Sequence, residues 1–281
     1  MNLHNKKYKY RDVLKPFAIL LLLIISLLAN AGAKPTSQIV IIIDDVGGKT
    51  SDAKAFELSK YVTFAILPHT RFSTEYSYKA AQQNREVMLH MPMESLNNEA
   101  LGVGPLLSDM YPQQIQQSLL AALATVPHAV GVNNHMGSKL TQMTLPMQSM
   151  MEILAQNNMF FVDSRTTRFS KAKVIAKDFG VTTASRHIFL DHEQETAFLQ
   201  RQFDRLIYQA RRNGKAIGIG HPHAVTLEFL PEALASLPAD IELITVSQYL
   251  EETDKFRINP QLAETNAISL LQSKTQQSAP D

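Results

Sequence analysis

Asp44 and Asp45 stand side by side at the end of the run Ile39-Val40-Ile41-Ile42-Ile43. Two adjacent carboxylates closing a buried apolar run repel each other, and a cation would relieve that repulsion. On an extended strand neighbouring side chains point to opposite faces. One aspartate can then bind a metal while the other stays free as a base. The same five residues, Asp44-Asp45-Val46-Gly47-Gly48, would also make an ordinary turn. Imidazoles recur in comparable places: His69, His90, His135, His187 and the pair His221 and His223 each lie at or just past an apolar run. Asp163-Ser164-Arg165 closes Phe160-Phe161-Val162, and Arg186 stands beside His187. No one of these residues is specific by itself; a single histidine at a strand end is usually only hydrogen-bonded. Carboxylate and neutral imidazole together suit a borderline cation such as zinc, with positions left open for water and substrate.

The apolar runs are the elements that must hold these groups. Short β-rich runs predict strands over 39–43, 62–67, 86–90, 130–133, 160–162, 181–184, 216–220 and 241–246. Helical patterns fill the intervals at 51–60, 73–83, 112–125, 145–158, 171–179, 195–212 and 227–237. Met147, Met150, Met151 and Leu154 recur at helical spacing, which reads as core packing. About eight βα units without an internal repeat predict an α/β fold with a parallel sheet, either doubly wound or closed as a (β/α) barrel, and the unit count favours the barrel. In such barrels all C-terminal strand ends open on one face, and the active site lies there. The strand-end acids and histidines then converge. A long loop, 92–111, borders that face and is long enough to be functional.

Composition narrows the chemistry. The 281 residues are 45% hydrophobic and 19% charged, a globular balance. There is no cysteine, which excludes disulfides, thiolate metal sites and a thiol nucleophile. With 27 Lys+Arg against 26 Asp+Glu, nothing points to a nucleic-acid partner. Residues 1–33 read as a signal peptide: five basic residues, an apolar stretch over 17–28, then Ala29-Asn30-Ala31-Gly32-Ala33. That stretch is shorter than the ~20 residues of a membrane-spanning helix. Cleavage after Ala31 or Ala33 would leave a periplasmic protein without a transmembrane segment. The remainder carries 22 basic and 25 acidic groups, since the leader holds five of the basic residues and one acid, Asp12. Residues 34–252 form the single domain, and the polar, Gln/Ser-rich 253–281 reads as a loose tail.

The strings IVIIIDDVGG, VTFAILPHT, REVMLHMPME, GVNNHMGS, FFVDSRTT and IGIGHPH occur in this order between residues 38 and 250. Together they resemble the divergent polysaccharide deacetylase family of exported bacterial proteins, related to the NodB-type carbohydrate esterases. The resemblance implies a distorted, TIM-like barrel of seven or eight parallel strands. It also implies a divalent metal, zinc on the donor chemistry, and removal of N- or O-acetyl groups from a polysaccharide or peptidoglycan-like glycan. By the same resemblance Asp44 is the general base, Asp45 a metal ligand and His221 the general acid. His90 matches the first of two ligand histidines four residues apart, but Glu94 stands where the second would be. Either Glu94 is a ligand or His135 completes the set Asp45, His90, His135; the imidazole is the better match to zinc. The family's arginine-and-proline motif has no counterpart, so Asp163 and Arg165 are supporting groups, with His69 and His223 as further alternatives. The other function to be weighed is a non-catalytic relative that binds glycan or another envelope partner on the same face. A glycosidase using Asp44 or Asp45 with Asp163 is a third.

Overall fold

The computed structural model describes residues 35–97 and 100–254. The leader and the tail beyond Asp254 lie outside the described residues. Nine strands form one sheet: β1 (Ser37–Val46), β2 (Thr63–Ile66), β3 (Val87–Met93), β4 (Ala129–Met136), β5 (Phe160–Asp163), β6 (Thr183–Ser185), β7 (Ile188–Phe189), β8 (Lys215–Gly220) and β9 (Ile241–Leu243). Every pairing is parallel. Eight strands follow the order β6-β5-β4-β3-β2-β1-β8-β7, and β9 pairs with the start of β1.

The helices are α1 (Ser73–Gln82), α2 (Pro112–Leu123), α3 (Thr144–Gln156), α4 (Ala172–Asp178), α5 (Thr196–Asn213), α6 (Ala224–Ala235) and α7 (Val246–Asp254). On α5 the buried Leu199, Phe203, Leu206, Ile207 and Ala210 recur at helical spacing, and Gly214 ends the helix at φ 81°.

Strand alternation divides the core in two. Val40, Ile42, Ala65, Met88, Phe160, Val162, Ala184, Ile217 and Ile219 form one cluster, the barrel interior. Ile39, Ile41, Ile43, Phe64, Ile66, Leu89, Val132 and Phe161 face the helices in the other. Gly131 lies against the interior, where a Cβ would come 2.2 Å from the Phe160 ring. Glycine there makes room for a whole phenyl side chain.

Several expectations are corrected. The sixth run, expected as a strand over 181–184, is strand at Thr183–Ser185, where β6 pairs with β5; two residues later an unexpected short strand, β7, pairs with β8. Arg186 N–H donates to Asp163 O and His187 N–H to Ile217 O, so this segment spans the gap between the two sheet edges. The His187 ring accepts the Ile217 N–H at 3.0 Å, an architectural task. The helix expected over 51–60 is a 3-10 helix, Thr50–Glu57, held by the Asp52 carboxylate on the N–H groups of Gly47 and Lys49. The eighth run is strand only to Leu243, and α7 follows. β3 and β4 run past the expected ends, so His90 and His135 lie within strands.

Candidate active site

The interior-facing positions change from apolar to polar toward the C-terminal mouth. Ile42 is followed two residues on by Asp44, Met88 by His90, Gly131 by Asn133 and then His135, and Ile219 by His221. Register sets their heights: His90 lies beside Asn133, and Pro92 beside His135. The period of two therefore builds a polar layer on top of an apolar plug.

The aspartate pair departs from that period. Between Ile43 and Val46 the β1–β2 register slips, so β1 carries a bulge at Asp44-Asp45, and Asp45 has φ 58°. The expectation that the two carboxylates point to opposite sides is thereby corrected: a bulge with one left-handed residue re-aims a side chain. Both carboxylates reach the same nitrogen, with His90 Nε2 at 3.1 Å from Asp45 Oδ1 and 3.7 Å from Asp44 Oδ2. A left-handed aspartate costs roughly 1–3 kcal/mol, and such strain gathers at functional sites. His69, Met136 and Arg165 share that conformation at the ends of β2, β4 and β5.

Asp45 Oδ1, His90 Nε2 and His135 Nδ1 form a compact triangle. His135 Nδ1 lies 2.9 Å from Asp45 Oδ1 and 3.2 Å from His90 Nε2. Asp45 Oδ1 is buried without a well-directed hydrogen bond. Two ring nitrogens at that spacing need a proton or a cation between them. Ligand atoms about 2.0–2.1 Å from a tetrahedral zinc lie about 3.3 Å apart, close to this triangle. The residues fit a divalent cation. Burial works to raise the Asp45 pKa, but the two histidines outweigh it and hold the carboxyl far below its ordinary range. For His90 burial works downward, and Asp44 and Asp45 bring the net shift upward.

Asn133, fully buried, ties this triangle to Asp44. Its Nδ2 donates to Asp44 Oδ1 at 2.8 Å, which leaves its Oδ1 to accept from His90 Nδ1 at 2.8 Å. With Nδ1 as the donor, His90 directs Nε2 into the triangle. Asp44 is 3% exposed, and its burial raises the pKa despite His90, His221 and Asn133.

His221 stands near Asp44, held by a residue that sequence reasoning missed. Asp191 Oδ1 bonds His221 Nδ1 at 2.9 Å, and Asp191 Oδ2 accepts the His221 N–H and the Thr226 hydroxyl. Burial pushes the His221 pKa down, but Asp191, with Asp44 and Asp45, overcomes this and raises it to about 9. Asp191 follows Ile188-Phe189-Leu190, and a strand-end carboxylate there was the available signal. Arg186, which the sequence places at a strand end without a role, bonds Ser164 O and Arg165 O, and its charge acts on Asp44 and Asp163. With Asp45, His221 lines a cavity of about 400 Å³, bordered by Lys49, Lys54, Gln194 and His223.

The remaining expected residues lie apart. Glu94 is engaged by Lys139 and by the Ser108 N–H at 2.6 Å, so it pins the 92–111 loop and is not in the triangle. Asp163 accepts the Arg165 N–H at 2.8 Å and shapes that turn. The His69 ring lies where a Cβ on Gly104 of the long loop would touch it. His223 precedes α6, 5.6 Å from His221 ring to ring; with Asp191 these two could form a second ligand group. Asp191 is already taken up by His221 and Thr226.

The chain is similar to the uncharacterized protein YibQ of Escherichia coli K12, 36% identical over 238 residues that cover 84% of this chain and 75% of that one. An uncharacterized protein of Haemophilus influenzae is 39% identical over 209 residues, 74% of this chain and 75% of the other. Among solved structures, the uncharacterized protein ATU2773 of Agrobacterium tumefaciens C58 shares the fold, with a TM-score of 0.72 at 22% identity over 78% of this chain and 91% of that one. The family model described as divergent polysaccharide deacetylase matches residues 41–250, strand β1 through helix α7, and the chain belongs to that family.

Proposed function

We propose that this protein is a metal-dependent hydrolase that removes N- or O-acetyl groups from cell-envelope polysaccharide, after export to the periplasm with loss of residues 1–33. The observation that carries the reading is the triangle of Asp45, His90 and His135 flanked by Asp44 and His221. A divalent cation, zinc on these donors, held by those three residues would polarise the acyl carbonyl and acidify water. Asp44 uses Oδ1 to meet Asn133, so Oδ2 is the atom that takes the proton of the attacking water. His221 commits Nδ1 to Asp191, which leaves Nε2 to protonate the departing amine or alcohol. Its raised pKa keeps it an acid at neutral pH.

The test is acetate release from a panel of N- and O-acetylated envelope glycans, with zinc supplied. Asp44→Asn and His221→Ala should each lower the rate by about 10²–10⁴ with the fold retained. No release by the wild type, despite one bound metal per chain, would replace this reading with that of a glycan-binding relative.

A further inference from the structure

Helices α2, α3 and α4 pack side by side on the β3–β5 half of the barrel. Their N-terminal ends come up at the mouth. Ten large apolar side chains are exposed among the described residues, and five of them gather at these three ends: Tyr111 before α2, Met143 and Leu145 at the start of α3, and Phe169 and Val174 around the start of α4. One cleft of about 530 Å³ brings Tyr111, Met143, Leu145 and Lys171 together. The Lys171 N–H donates to Thr141 O at 2.8 Å, which fastens the α4 entry to the α3 entry.

The same edge is strongly basic. Between residues 164 and 173 there are four cations, Arg165, Arg168, Lys171 and Lys173, and no acid. All four are exposed, and none forms an ion pair among the described residues. The acids nearby are the buried Asp163, which accepts the Arg165 N–H, Glu94, held by Lys139, Glu152, bonded to Gln116, and the exposed Asp109; Lys177 and Asp178 stand together at the far end of α4. Cations interleaved with exposed Leu, Val, Met and Phe form the surface that an anionic bilayer receives: the charges meet headgroups while the apolar tips enter the acyl boundary. A soluble acidic glycan would use the cations but has no use for the aliphatic tips.

We propose that this rim is a docking surface for an anionic phospholipid membrane. The 400 Å³ cavity beside His221 is lined by the segments after β1, β2, β7 and β8, away from the β3–β5 half that carries the rim.

The chain has no tryptophan, so one introduced indole reports its own surroundings. In the full-length protein, Phe169→Trp emission should shift to shorter wavelength on adding phosphatidylcholine vesicles with 30 mol% phosphatidylglycerol, roughly the anionic content that gives cations a grip. Tyr208→Trp, at an equally exposed site on α5, should not respond even where the N-terminal apolar stretch holds the chain to the vesicle. Adding Lys171→Ala and Lys173→Ala to Phe169→Trp should weaken the response about fivefold per lysine, roughly 30-fold together. An emission maximum of the Phe169→Trp variant that does not move overturns the proposal. So does an equal shift with pure phosphatidylcholine, or one reproduced by a soluble acidic polysaccharide without lipid.

Discussion

Asn133 holds two groups with different tasks by one planar amide. Its Oδ1 fixes the tautomer of His90 and its Nδ2 fixes the carboxylate of Asp44, both at 2.8 Å. Removing a partner of this kind costs about 10–100-fold in metal affinity. Asn133→Ala should lose that much in competition against a chelator, and should do so whether or not a substrate is known. Unchanged affinity would mean that packing alone orients His90. Asp191 acts on His221 in a different way, through its pKa. Raised to about 9, His221 is protonated and competent as an acid below that value and loses its proton above it. The alkaline limb of kcat/KM should therefore report the loss of this proton. Asp191→Asn removes the chief interaction that raises the pKa, so the limb should move to lower pH. An unmoved limb would assign it to another group.

At the scale of elements, the site depends on a bulge, a ring closure and a loop. The 92–111 loop is joined to β3 and β4 through Glu94, which meets Ser108 and Lys139. Glu94→Gln should leave one metal bound per chain and cost less than about 1 kcal/mol, since Lys139 is part exposed. Loss of the metal would return Glu94 to the ligand set. Beneath the polar layer, the interior is closed by Phe160 against Gly131. Gly131→Ala overfills that space and should cost about 1–3 kcal/mol in chemical denaturation. These element-scale features were only partly legible. The β-branched run of β1 and the amphipathic pattern of α5 announced themselves, because burial and periodicity are written residue by residue. The bulge was not visible: Asp44 and Asp45 are adjacent in any reading, and only pairing with β2 shows where the extra residue is accommodated.

At the scale of the whole molecule, the metal reading has a thermodynamic consequence. Asp45, His90 and His135 come from β1, β3 and β4 and lie together only in the folded chain. A cation bound there stabilises the native state by mass action, about 2.7 kcal/mol at a hundredfold excess over Kd. Zinc should raise the Tm of the wild type, and chelation should reverse this. In His90→Ala the rise should largely disappear. A wild-type Tm indifferent to zinc, cobalt and manganese would remove the metal site. Among the described residues no helix is long and apolar enough to cross a membrane.

The sequence by itself determined the alternation of strand and helix, the parallel barrel, and the gathering of acids and imidazoles at one end of it. Those follow from local patterning, and from the rule that parallel strands joined by helices all point one way. It also supplied the strings by which the chain resembles its family. Tertiary structure alone decided which groups meet. Asp191 and His221 are thirty residues apart and Asn133 and Asp44 eighty-nine, and no local pattern links either pair. The same holds for Glu94: four residues after His90 it stands where a ligand was expected, yet the register of β3 against β4 and the return of the long loop give its carboxylate to Lys139 and Ser108. Side-chain chemistry is local and can be read along the chain, whereas a site is a set of distances, fixed by strand register and by the direction in which each chain turn sends its side chains.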